Sequence, residues 1–177
     1  MAALFNPEEL WAVREYLHTT WRPDREFVDG RIVERNWADK RHSITQRHLI
    51  LVFMLKRAEW RVEVFPELRT QTAARKFRVP DVLVMKAGQH FDRYVTVPPL
   101  IAIEILSPED RLQVMREKAA DYRRFGVEHI WIIDPQARIG YQYTAAGLEQ
   151  VRTSELAVSE TPIRVPLDEL FAELDRA

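Results

Sequence analysis

Apolar positions along the chain change period several times, and each change marks an element. Leu10, Val13, Tyr16 and Leu17 recur at helical spacing behind Asn6-Pro7-Glu8-Glu9, where Asn is a cap, Pro suits the first helical position and the acids suit the first turn. This predicts a helix over Pro7–His18. Between Glu26 and Glu34, Asp29-Gly30 separates two short apolar runs, the pattern of a type I′ hairpin. His42 to Ala58 is the longest helical stretch, apolar almost all round from Leu49 to Leu55, so it is expected to be buried against a sheet.

Val62–Phe65 and Leu68–Thr72 read as two strands joined at Pro66-Glu67. Val82–Met85, Leu100–Leu106 and Ile130–Asp134 are apolar runs too short for helices, and they supply the expected central sheet. Between the last two, Leu112, Met115, Ala119 and Tyr122 form one helical stripe that Gly126 terminates, so strand, helix and strand make a crossover. Asp134-Pro135 ends its strand, since Pro cannot continue a ladder. Arg138–Tyr143 and Leu148–Val151 form a closing hairpin, followed by a short helix over Leu167–Leu174. Trp37, Trp60 and Trp131 are expected in the core or at its edge, without the interleaved bases of a single-strand stacking surface. The expected fold is a single α/β domain with a mixed, twisted sheet.

The length of 177 residues suits one domain, and the absence of cysteine excludes disulfides and thiolate metal sites. Lys and Arg number 26 against 27 Asp and Glu, a formal charge of -1, which argues against coating nucleic acid by bulk charge. No apolar run reaches the roughly 20 residues that span a bilayer, and the first residues lack a signal peptide's basic and apolar regions, so a cytoplasmic location and no membrane partner are expected. One dense basic stretch remains, Arg69, Arg75, Lys76 and Arg78, which reads either as a grip on phosphates or as the solvated edge of a hairpin.

Candidate chemistry lies in Val79-Pro80-Asp81 and in Ile101-Ala102-Ile103-Glu104-Ile105-Leu106. A carboxylate in a buried strand costs several kcal/mol unless it meets a cation or strong donors. A divalent metal between Asp81 and Glu104 is one such partner; a turn cap at Asp81 and an arginine pair at Glu104 are the structural alternatives. On the strand Glu104 shares a face with Ala102 and Leu106. On the following helix Lys118 falls about 80° from the centre of the apolar stripe, where its stem packs while its ammonium turns toward the strand ends. Two carboxylates and a lysine around Mg²⁺ suit phosphodiester hydrolysis.

Four segments in order resemble the signatures of the Uma-two family, a bacterial group of restriction endonucleases by description, within the PD-(D/E)XK nuclease superfamily. They are Val79 to Val84, Ile103 to Arg111, Glu117-Lys118 with Asp121-Tyr122, and Phe125 to Pro135. The resemblance spans residues 27–171, behind an N-terminal helix within 1–20, and it implies a restriction-endonuclease-like fold with a mixed central sheet flanked by helices. It makes Asp81 the proline-preceded metal aspartate and Glu104 the acid of the next strand, with the carbonyl of Ile105 a further ligand. The superfamily's lysine two residues after that acid is replaced here by Leu106, and Lys118 takes its role from the helix. His42 matches a histidine that opens the first core helix, and Tyr122 a tyrosine four residues after the lysine. His42 alone reads as a helix-entry residue, and Tyr122 as core packing whose hydroxyl could orient Lys118. Relatives often carry an aspartate where this chain has Val114.

The expected function is Mg²⁺-dependent hydrolysis of DNA, with Mn²⁺ as substitute ion. The alternatives are a nuclease-fold module that binds nucleic acid or a protein without cleaving, and hydrolysis of a small nucleotide. A twofold cut would require a homodimer.

Overall fold

The structure is a computed structural model that describes residues 7–176. The expected Asn6 cap lies outside the described residues. Four helices and twelve strands follow in chain order: α1 (Pro7–His18), β1 (Glu26–Val28), β2 (Arg31–Val33), α2 (Lys40–Trp60), β3 (Val62–Pro66), β4 (Thr70–Ala73), β5 (Lys76–Arg78), β6 (Val82–Lys86), β7 (Ile101–Ile105), α3 (Leu112–Phe125), β8 (His129–Asp134), β9 (Ile139–Thr144), β10 (Gly147–Gln150), β11 (Glu155–Ala157), β12 (Arg164–Pro166) and α4 (Leu167–Arg176).

The central sheet has six strands in the order β10-β9-β8-β7-β6-β3. Only β7 and β8 pair in parallel, and α3 is their crossover, so the sheet is mixed as expected. Period-two alternation sorts its side chains. Val82, Val84, Ile101, Ile103, Ile105, Trp131 and Ile133 pack with Leu49 and Phe53 of α2 and Leu170 and Phe171 of α4. On the other face Ala102, Ile130 and Ile132 meet Met115, Ala119 and Tyr122 of α3. A second sheet, β2-β1-β5-β4, carries the hairpin at Asp29-Gly30, where both residues take positive φ. Its Phe27 and Phe77 pack with Tyr16 of α1.

Two expectations need correcting, and two features were not foreseen. The strands joined at Pro66-Glu67 fall in different sheets: Glu67 turns with φ 50°, so β3 edges the central sheet while β4 pairs with β5 in the second. α2 is buried on one face only; Leu51, Met54 and Leu55 are exposed because no described element covers that side. Trp37 stands 74% exposed, in contrast to Trp60 and Trp131 in the core. β11 and β12 were not expected, because their three-residue runs carry too few positions to show a period; Leu156 and Val165 cap the α2 face of the core.

Candidate active site

Pro80 ends β5's extension and delivers Asp81 just ahead of β6. The antiparallel register pairs Val82 with Ile103, so one step further sets Asp81 opposite Glu104 on the same face. Directly opposed residues hold their Cβ atoms about 4.5–5.5 Å apart. Both side chains are buried and both line one cleft of about 350 Å³.

Glu104 is held from α3. Tyr122 donates its hydroxyl to Oε1 at 2.5 Å, and the Lys118 ammonium lies 3.1 Å from Oε2. Lys118 and Tyr122 sit four residues apart and so present to the same strand. The Lys118 ammonium also reaches Glu26 Oε1 on β1 at 3.0 Å, so it bridges two acids from two sheets. Tyr122 therefore touches the glutamate rather than orienting the lysine, as its sequence position had left open.

Asp81 is held from three other directions. The Ile105 N–H donates to Oδ2 at 2.7 Å, the Arg35 guanidinium lies 2.5 Å from Oδ1, and His42 Nε2 lies 3.4 Å from the same oxygen. His42 occupies the first turn of α2, where its own N–H donates to the Asp39 cap at 2.8 Å. Its Nδ1 lies 3.3 Å from Ser107 Oγ, which fixes the ring plane. The histidine is buried, not a surface residue. Arg35 comes from the stretch between β2 and α2, tethered beside it by Asn36, whose amide donates to Asp110 at 2.8 Å.

Glu26, Arg35, Asp121 and Ser107, none of them given a role from sequence, complete this network with Arg78, which was read only as part of the basic stretch. Arg78 Nη1 lies 2.8 Å from Glu26, and its Nε and Nη2 donate to Asp121 Oδ2 at 2.9 and 2.6 Å. Lys76 reaches Asp121 at 3.2 Å, and Arg124 pairs with it too. The basic stretch is thus neither a phosphate grip nor a solvated edge at these positions. Arg78 and Lys76 neutralise internal acids, and Arg69 is engaged by Asp24 at 2.6 Å and lies over the Tyr16 ring. The available signal was an arginine inside the apolar run Phe77-Arg78-Val79, as costly to bury alone as the acids themselves.

The charges do not balance evenly. Burial pushes Glu104 up to about 7, with Lys118 opposing and the neighbouring Asp81 and Glu26 carboxylates adding to the rise. Burial also acts against ionised Asp81 and Glu26, yet His42 and Arg35 hold Asp81, and Lys118 and Arg78 hold Glu26, below the usual carboxylate range. Burial depresses His42, but its contact with Asp81 outweighs this and raises it. The rise at Glu104 is chiefly the cost of burying its charge, which Lys118 and the Tyr122 hydroxyl offset only in part.

The donor set fits a hard divalent cation. Mg²⁺ takes oxygen ligands, often one or two carboxylates, and keeps several waters. Asp81 and Glu104 supply two such carboxylates on one cleft. Among the described residues no group of three His, Cys, Asp or Glu side chains forms a ready-made cage. The donors such an ion would find on the cleft are therefore these two carboxylates.

The site thus sets two acids facing each other across two strands of a mixed sheet beside a lysine supplied from the crossover helix. The sequence matches the Uma-two family, described as "Putative restriction endonuclease", over residues 13–175. The chain belongs to that family. A crystal structure of "a putative nuclease" from Anabaena variabilis is similar in fold, with a TM-score of 0.77 and 20% identity over 92% of this chain and 98% of that one. DrdV in a DNA complex gives a TM-score of 0.42 at 12% identity, over 74% of this chain and 10% of that one. No curated protein matches the chain.

Proposed function

We propose that the protein is a cytoplasmic, Mg²⁺-dependent endonuclease that hydrolyses phosphodiester bonds in DNA. The observation that carries this reading is the placement of Asp81 and Glu104 opposite each other on one cleft, with Lys118 against Glu104. Asp81 and Glu104 would hold the ion, with the Ile105 carbonyl as a further ligand and Mn²⁺ as a substitute, and when bound it would supply Lewis acidity toward a phosphoryl oxygen. Lys118 would hydrogen-bond the attacking water and offset charge gathering on the phosphate. Glu26 keeps the lysine charged and aimed, Tyr122 fixes the Glu104 carboxylate, and His42 fixes Asp81. Arg35 neutralises Asp81 and would be free to meet a phosphate if a cation took its place there. No described helix is long and apolar enough to cross a membrane.

A second reading is supported by one observation. Every oxygen of Asp81 and Glu104 already has a protein partner, namely Arg35 and Ile105 N–H for the first and Lys118 and Tyr122 for the second. A site so satisfied could belong to a module that binds DNA or a protein without cleaving.

Cleavage assays separate the two. With Mg²⁺ the native protein should nick or cut single- or double-stranded DNA, and Asp81→Asn or Glu104→Gln should abolish this while DNA binding survives. Mn²⁺ should raise the melting temperature of the native protein, by RT ln(1 + [L]/Kd), and not that of either variant. DNA binding without cleavage and without a metal-dependent shift would establish the non-catalytic module instead.

A further inference from the structure

We propose that the outer face of α2 is a self-association surface through which two copies of this chain pair antiparallel about a twofold axis. α2 turns Leu49, Phe53 and Trp60 into the core, yet Leu51 is 52%, Met54 45% and Leu55 74% exposed. At about 100° per residue, Leu51 and Leu55 each lie about 160° from Phe53, so they occupy the middle of the side facing away from the sheet. Apolar side chains scattered singly on a surface need no explanation, but three within five residues on one helix face form a patch.

Charge identifies the occupant. Arg47, Leu51, Leu55 and Glu59 stand four residues apart and form one exposed ridge along the helix, basic at its N-terminal end and acidic at its C-terminal end. An antiparallel twofold over residue 53 lays Leu51 against Leu55 of the partner subunit, and Arg47 against Glu59 of the partner subunit. The same operation repeats both contacts in reverse, so the ridge is its own complement, as an isologous interface requires. Lys56 and Arg57 also stand exposed on α2, off this ridge, so the self-complementary pattern belongs to the ridge of Arg47, Leu51, Leu55 and Glu59 and not to the helix as a whole. Among the described residues Glu59 is engaged by Lys56, at 2.8 Å, with both side chains about half exposed, a pair weak enough to rearrange.

An apolar centre with a charged rim is the usual anatomy of such contacts. A single helix pair sits at the low end of interface size, below roughly 1,200 Å² in total, so the dimer is weak, with a dissociation constant in the micromolar range. The inference stands on α2 and holds whether or not the cleft cleaves DNA, so its failure leaves the nuclease reading untouched.

Sedimentation equilibrium of the full chain, from low micromolar to a few hundred micromolar, is the test. The native protein should shift from monomer to dimer with concentration, and Leu55→Glu should stay monomeric throughout with an unchanged melting temperature. Arg47→Glu and Glu59→Arg should each weaken the dimer about tenfold, since each sets two like-charged pairs face to face. The double variant Arg47→Glu/Glu59→Arg should return to within about threefold of native. A native protein that remains monomeric overturns the proposal, as it would if another segment of the chain covered this face. A dimer untouched by Leu55→Glu, or one the double swap does not restore, overturns it equally.

Discussion

Strand β7 gives Ile101, Ile103 and Ile105 to one face of the central sheet and Ala102 and Glu104 to the other, and the two faces follow different physics. Toward α2 and α4 the surface is dry and shape-driven; its members are interchangeable in kind and matter through volume. Toward α3 the small Ala102 opens room beside Glu104, and Tyr122, Lys118, Glu26 and Arg78 fill it with a chain of charged contacts. That side carries groups whose burial is costly and which the surrounding cations only partly offset. The dry face supports the fold, and that support allows the polar face to hold a destabilised acid at the cleft.

The sharpest way to break this contrast is to exchange the kinds of damage. Phe53→Ala, in the dry face, should lower stability by about 3–5 kcal/mol through lost contacts and a cavity, measured by urea unfolding, and leave cleavage per folded molecule unchanged. Glu104→Gln, across the same sheet, should keep or raise stability at pH 8 and remove cleavage. If both variants lose stability equally, the division of labour is wrong.

Lys118→Ala comes next. Cleavage should fall about 10²-fold, the usual worth of a positioned proton or charge partner. Stability should fall too at pH 8, where Glu26 and Glu104 lose the cation between them, and should fall less at pH 5, where Glu104 is protonated. A loss of stability equal at both pH values would mean that the lysine matters as packing only.

Arg35→Met should have a smaller effect of opposite sign. If the guanidinium competes with a cation for Asp81, calorimetry should find Mn²⁺ bound about tenfold more tightly once it is gone, a coupling of about 1.4 kcal/mol. Weaker or unchanged binding would show that Arg35 supports the site and does not compete for it.

Much of the fold was legible because its signals are local. The α3 stripe ending at Gly126, the Asp-Gly hairpin and the three apolar runs each declare themselves within a dozen residues. Asp81, Glu104 and Lys118 stood out for a related reason, as charged positions inside or beside apolar patterns. Glu26 and Arg35 did not, because their meaning lies in partners 52 and 46 positions away, which periodicity cannot see, and Arg78 stood out only as part of a basic stretch, not through its partners. β1 is also three residues long, too short for a charge to register as an exception to a pattern. The outer face of α2 failed for the opposite reason: a helix apolar all round looks buried all round, and only the placement of neighbouring elements shows which side was left open.

The smallest expected effect is a slope with pH, and it tests the contrast most directly. Glu104 rises from an ordinary 4.5 to about 7 in the folded protein, so between those values the native state binds a proton that the unfolded chain has released. The contribution is fully present below about 4.5 and is lost as pH rises through about 7, at most about 3 kcal/mol for a shift of this size. Asp81 and Glu26, held low, act in the opposite sense: their contribution is present above the ordinary carboxylate range and fades as pH falls through it. His42, held high, loses its contribution as pH climbs past its raised value, so it adds to the decline only at the upper end. Subtracting the Glu104→Gln profile from the native one isolates the glutamate. The native protein should lose stability relative to the variant from pH 5 to pH 8, whereas Val84→Ala on the dry face should shift the whole curve and leave its slope alone. Saturating Mg²⁺ should flatten the native slope, since a cation beside Glu104 keeps it ionised. A difference curve without slope would mean that Glu104 is ionised throughout, and that Lys118 and Tyr122 already satisfy it.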